Sequence, residues 1–282
     1  MVVRFKKESN FQDASRLFFR EKILSFNKIQ FFLKNIIMHR FLFLRIGFFM
    51  KFSILIPVYN EEKTLGTIFE KVFSIEKSPL IDELEVIAVD DCSKDNSLNI
   101  LEKYSGKIKI LKHEKNRGKG AAIRTAAANA TGDYVVFQDA DLEYDPQDLL
   151  KMLDFAAKNN VDILYGSRFL EKKGSPLGKM HYFVNAALTT LSNLFTGLNL
   201  TDMETCYKMF RGEILKEINI EEDRFGLEPE ITAKAAKICA EKNLKLSEIP
   251  INYDPRKYDD GKKIGWKDGL RAVYIILKYG LF

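Results

Sequence analysis

From Lys51 onward the chain alternates short runs of β-branched and aromatic residues with stretches of helical spacing, and few architectures accept that alternation. Phe52 to Ile56, Leu84 to Val89, Ile108 to Leu111, Tyr134 to Phe137, Asp162 to Tyr165 and Leu246 to Asn252 read as strands. The intervening stretches predict helices. One carries Glu61-Glu62 in its first turn, where acids suit the helix dipole. A second runs to Tyr104 behind the caps Ser93 and Asp95, and a third leads from Asn116-Arg-Gly-Lys-Gly120 through Ala130. Two more cover 148–159 and 229–243. Strands alternating with helices imply parallel βαβ units, hence an α/β fold with a mostly parallel sheet flanked by helices.

The 282 residues hold a net charge of +5, but the charge is unevenly placed. Residues 1–49 contain ten Lys/Arg against three Asp/Glu and eleven of the 22 Phe. Residues 50–282 then carry 34 basic against 36 acidic side chains, which argues against a nucleic-acid-binding face. The apolar part of the N-terminal stretch is interrupted by Lys34, His39, Arg40 and Arg45, too often for a membrane span of ~20 residues. It reads either as a basic, Phe-rich extension lying on an anionic membrane surface or as a misassigned start ahead of Met50. Cys92, Cys206 and Cys239 lie far apart without metal-ligand spacing and fit reduced thiols in a cytoplasmic protein.

Asp139-Ala-Asp-Leu-Glu143 stands at the end of the strand beginning at Tyr134, and Asp145-Pro146 opens a helix just beyond it. Carboxyl ends of strands are where open α/β sheets bind ligands. Carboxylates this close repel one another, and a hard divalent cation with oxygen ligands relieves that repulsion. An isolated D-x-D, a short and common pattern, reads sooner as a solvated acidic loop; the surrounding motifs decide for the cation. Gly118 and Gly120 do not make a P-loop, because no Ser or Thr follows the Gly-Lys pair. Met180, Phe183, Val184, Ala187, Leu188, Leu191, Leu194 and Phe195 form a helical stripe of the kind usually buried in a core. Trp266, Leu270, Val273, Tyr274 and Leu277 mark a final amphipathic helix.

Taken together, Ile56-Pro-Val-Tyr-Asn-Glu61, Val89-Asp-Asp-Cys-Ser93, Asn116-Arg-Gly-Lys-Gly120, Asp139-Ala-Asp-Leu142 and Gly166-Ser-Arg168 resemble the motifs of family 2 glycosyltransferases of GT-A fold. The branch resembled is that of dolichyl-phosphate mannose synthases and polyprenyl-phosphate glycosyltransferases. The resemblance covers Lys51 to about Ile275 and implies a Rossmann-like nucleotide-binding catalytic domain over 50–282. Its donor half would be 50–168 and its acceptor half 169–282. It further implies that Pro57, Tyr59 and Glu61 contact the nucleoside, that Asp90 or Asp91 reads base or ribose, and that Lys119 lies near the nucleotide. Asp139 and Asp141, with Glu143, would hold Mg²⁺ or Mn²⁺ on the diphosphate. Arg168 would meet the acceptor phosphate, and Arg256 with Lys262 or Lys263 would close over the phosphates.

The chain departs from that branch at two places. His181 and Asn185 stand where relatives usually offer Arg and Ser to the lipid phosphate, and Asp202-Met-Glu-Thr-Cys206 replaces Asp-Pro-x-Ser-Gly. The implied partners are a nucleoside-diphosphate sugar and a polyprenyl phosphate, with a location on the cytoplasmic face of the cell membrane. A phosphate acceptor is already ionised at neutral pH. A glycan hydroxyl needs a base, for which Asp202 and Glu204 are the candidates. Two rivals are a silent sugar-nucleotide-binding protein, disfavoured by the Asp139/Asp141 pair, and a nucleotidyltransferase. The latter would carry a Gly-rich basic loop where Pro57-Val-Tyr-Asn-Glu61 stands.

Overall fold

A computed structural model describes residues 50–171, 179–255 and 266–280. The N-terminal extension and the basic positions Arg256, Lys262 and Lys263 fall outside the described residues. Seven strands form one sheet: β1 Lys51–Val58, β2 Glu83–Asp90, β3 Lys109–Lys112, β4 Tyr134–Phe137, β5 Ile163–Ser167, β6 Lys208–Arg211 and β7 Leu246–Pro250. Their order across the sheet is β3-β2-β1-β4-β6-β5-β7. The predicted α/β architecture is therefore present. β1 pairs in parallel with β2, Lys51 opposite Glu83 and Val58 opposite Asp90, and with β4, Phe52 opposite Tyr134. Phe52, Ile54, Leu55, Ile56 and Val58 are fully buried, as expected of a central parallel strand covered on both faces.

The helices are α1 Leu65–Ile75, α2 Ser97–Lys103, α3 Lys119–Ala127, α4 Gln147–Asn159, α5 Lys179–Thr196, α6 Gly212–Glu217, α7 Leu227–Lys242 and α8 Trp266–Gly280. The first begins later than the acidic pair Glu61-Glu62 predicts. Asn60 is left-handed at φ 53, Thr64 N–H closes a turn onto Glu61 O at 3.1 Å, and the helix starts beyond it. Glu61 N–H instead donates to Ser97 Oγ at 2.8 Å and Glu62 N–H to Asp95 Oδ2 at 3.1 Å. These bonds tie the loops after β1 and β2 into one rim.

Two features depart from the sequence reading. β6 runs antiparallel to both neighbours, Val135 opposite Phe210 and Leu164 opposite Met209. Four residues bounded by Lys and Arg carry little strand signal, and pairing on both edges imposes the conformation. The α5 stripe is not the core element its periodicity predicts. Leu188 joins Met203, Ala272 and Ile276 in a second small core. Met180 is 76% exposed, Phe183 66% and Leu194 77%. No helix among the described residues is long and apolar enough to cross a membrane.

Candidate active site

The parallel strands deliver the motif residues to their carboxyl ends. β1 leads into half-buried Tyr59 and Glu61, with Pro57 half-buried within the strand. β2 ends on Asp90 and runs into Asp91, both buried. Asp91 accepts from Arg117 N–H at 2.9 Å and Gly118 N–H at 2.7 Å, and pairs with His113 Nδ1 at 2.7 Å. Asp91 therefore shapes the Asn116–Gly118 loop from below, while Asp90 receives Ser93 N–H at 3.3 Å.

That loop is pressed against the segment preceding α7, which explains its two glycines. A Cβ on Gly118, whose φ is +102, would come 2.5 Å from Asp223 O, and one on Gly120 would come 2.0 Å from Glu222 O. Ala121 N–H donates to Asp223 O at 3.0 Å, and Arg124 Nη2 reaches Asp223 Oδ1 at 2.5 Å. Gly120→Ala is expected to destabilise the fold by about 3 kcal/mol, the upper part of the range for overpacking, since a backbone carbonyl cannot step aside. Chemical denaturation of the variant checks this.

Asp139 and Asp141 follow β4, as the alternation predicts. Lys119, at the first position of α3, places Nζ 2.9 Å from Asp139 Oδ1 and 3.0 Å from Oδ2. Its second carboxylate partner is Glu228, Oε1 at 3.0 Å, from the first turn of α7. Burial opposes the charge on Lys119, but Asp139 and then the other acidic neighbours outweigh it and hold the ammonium well above the ordinary lysine range. Cys206 also faces Asp139. Burial, then the Asp139 charge, pushes its thiol well up, so it stays protonated.

Glu143 does not join the two aspartates. Tyr253 donates its hydroxyl to Glu143 Oε2 at 2.6 Å, and no three acidic, His or Cys side chains among the described residues are arranged to hold a metal. A pair of carboxylates still suits Mg²⁺ or Mn²⁺, which commonly take one or two protein carboxylates and fill their shell with phosphate oxygens and water. The donor set is all oxygen and fits that chemistry.

Among the residues expected to face the acceptor, Arg168 and Asp202 engage each other. Arg168 is 6% exposed and forks onto Asp202, Nε to Oδ2 and Nη2 to Oδ1 both at 2.7 Å. Its backbone N–H adds a third bond to Asp202 Oδ2 at 3.0 Å. Asp202 is fully buried with both oxygens engaged by Arg168. The same bidentate pair engages the guanidinium that was expected to meet the acceptor phosphate and ties it to the 201–206 loop. Truncating either partner would strand a buried charge.

Glu204 is different. Its Oε1 is buried without a hydrogen-bond partner. Burial first, then the charge of Glu228, pushes its carboxyl up to about 7. Sequence reasoning missed Lys208, whose ammonium is fully buried and donates to Met203 O at 2.8 Å and to Thr205 O, bracing the backbone that carries Glu204. It also missed Glu228; acids at a helix start read as dipole partners, and only the fold brings this one to Lys119. His181 and Asn185 lie one turn apart on α5, beside the exposed Met180, Phe183 and Val184.

The chain matches the family model described as Glycosyl transferase family 2 over residues 53–219. It is 29% identical over 175 residues to a dodecaprenyl-phosphate galacturonate synthase of Rhizobium johnstonii, covering 61% of this chain and 51% of that one. It is 26% identical over 241 residues to a dolichol-phosphate mannosyltransferase of Pyrococcus furiosus, covering 82% and 64%. The chain thus spans about half to two thirds of the length of these relatives. In fold it is similar to the Mycobacterium tuberculosis glucosyl-3-phosphoglycerate synthase solved with Mn²⁺, UDP and phosphoglyceric acid, at TM-score 0.61, 17% identity and coverage of 82% and 78%. S. aureus TarS with UDP-GlcNAc gives TM-score 0.56 at 23% identity, covering 82% and 66%. With the match extending from β1 through α6, more than half of the chain, the chain belongs to glycosyltransferase family 2.

Proposed function

We propose that this chain is a metal-dependent, inverting glycosyltransferase that moves a sugar from a UDP- or GDP-linked donor to a polyprenyl phosphate at a membrane surface. The observation that carries the reading is the convergence of Lys119 on Asp139, with Asp141 two residues on, at the carboxyl end of β4. Mg²⁺ or Mn²⁺ held by Asp139 and Asp141 would supply Lewis-acid neutralisation of the departing diphosphate. Lys119, held between Asp139 and Glu228, adds a positive charge within reach of the diphosphate. Tyr59, Glu61 and Asp90 border the rim on which the nucleoside would lie.

Support for the acceptor comes from three directions. Two relatives are named for dodecaprenyl and dolichol phosphate. Among the described residues, the nine exposed large hydrophobics are confined to Leu170, α5 and α8. The Phe-rich N-terminal extension has ten basic side chains suited to anionic lipid. A phosphate nucleophile brings no proton to remove, so no base is required of the chain. A location on the cytoplasmic face of the membrane follows from this reading.

Glu204 favours a second reading. A half-buried carboxyl whose Oε1 has no hydrogen-bond partner, pushed up to about 7, is poised as a base for a sugar hydroxyl. The deciding experiment offers UDP- and GDP-sugars with Mn²⁺ to the full chain, against a polyprenyl phosphate in anionic vesicles and a panel of oligosaccharides. Sugar–phospholipid product carries the first reading; glycan product alone replaces it with the second. Phe183→Asp is expected to cut transfer to the vesicle-borne acceptor at least fivefold, while a short, soluble prenyl phosphate is used at the wild-type rate.

A further inference from the structure

We propose that Lys119 and the divalent cation compete for Asp139, and that Glu228 is the positioning residue that receives the ammonium when Asp139 turns to the metal. The inference rests on the reading of Asp139 and Asp141 as the metal pair.

Both oxygens of Asp139 lie within hydrogen-bond distance of Lys119 Nζ, at 2.9 and 3.0 Å. The edge of the carboxylate that a hard cation needs is therefore already covered by a positive charge. An ammonium and a divalent ion drawn to the same two oxygens repel each other, so each weakens the other's hold on them. Glu228 Oε1 sits 3.0 Å from the same Nζ, and its side chain is only 9% exposed. The ammonium thus has a second carboxylate within reach and need not enter solvent when it leaves the first.

The backbone makes this a two-position device. Gly118 and Gly120 are packed on the carbonyls of Asp223 and Glu222, and Ala121 N–H bonds to Asp223 O. Glu230 fixes the other side by accepting from Glu221 N–H at 2.7 Å and Glu222 N–H at 2.8 Å. The main chain bearing Lys119 is therefore locked to the head of the helix bearing Glu228. Only the flexible lysine side chain is left to move, along the short path between two acids. Without donor, Lys119 guards Asp139 and metal alone binds weakly. With donor, the diphosphate brings negative charge that welcomes both cations, so metal and nucleotide enter together.

The test titrates the full chain with Mn²⁺ alone and reads free Mn²⁺ by electron paramagnetic resonance. Lys119→Met and Lys119→Gln are expected to bind Mn²⁺ about tenfold more tightly than wild type. Glu228→Gln, which leaves Lys119 with Asp139 as its one strong partner, is expected to bind it about threefold more weakly. In the Lys119→Met background the Glu228→Gln change is expected to alter Mn²⁺ affinity less than twofold, because the residue acts through the lysine. Lysine variants that keep the wild-type melting temperature yet bind Mn²⁺ no more tightly would overturn the inference alone. So would an equal cost of Glu228→Gln in both backgrounds, the signature of plain long-range charge. Wild type that takes up no Mn²⁺ even with UDP or GDP present would overturn the metal reading and this inference with it.

Discussion

Asp139→Asn is expected to abolish sugar transfer, on the order of 10³-fold or more, while leaving the protein folded. Asn keeps the shape of the side chain but removes the anionic oxygen, and Asp141 alone is a weak anchor for a divalent ion. The fold survives because Lys119 retains Glu228 at 3.0 Å, so no buried charge is stranded. Thermal unfolding reports both halves of the expectation. The variant melts within a few degrees of wild type, and the Mn²⁺-dependent protection by UDP or GDP disappears, since a ligand that no longer binds the native state no longer stabilises it. Normal donor binding by the variant in the presence of Mn²⁺ sinks the assignment.

Glu204→Gln separates the two acceptors by magnitude. With a glycan hydroxyl, losing a positioned base costs on the order of 10²–10⁴ in kcat. With a polyprenyl phosphate there is no proton to take, so the loss stays far smaller than that of Asp139→Asn. Saturating donor makes kcat report the transfer step. Wild type acting on a hydroxyl is expected to lose rate below about pH 7, where Glu204 becomes protonated, and the variant lacks that limb. Stability moves independently of the acceptor. The folded carboxyl is raised from an ordinary value of 4.5 to about 7, so across that interval the native state holds a proton the unfolded chain releases. Wild-type stability therefore falls as pH rises through the window. Glu204→Gln removes that cost and is expected to melt higher than wild type at pH 8, with the gap closing by pH 4.5. A gap of the same size at both pH values would show that Glu204 is not held protonated by its surroundings.

Local sequence carried the frame of this protein. Period and composition gave the parallel strands from Phe52 to Leu246, and the turn residues after each strand put Asp90, Asp139 and Arg168 at one edge of the sheet. These features depend on neighbours a few residues away, which a linear reading sees. What it did not see depends on partners distant in the chain. β6 is a strand because β4 and β5 flank it. Arg168 meets Asp202, 34 residues on, and burial turns a pair that would contribute little at the surface into a structural pin. Glu228 reaches Lys119 only because α7 docks against the Gly118–Gly120 turn. The α5 stripe has the periodicity of a core helix, yet most of its N-terminal half faces outward, since no described element covers it. Periodicity fixes which side chains share a face. Whether that face is covered, and which charge meets which, is settled by packing between elements and by the cost of leaving a buried ion alone.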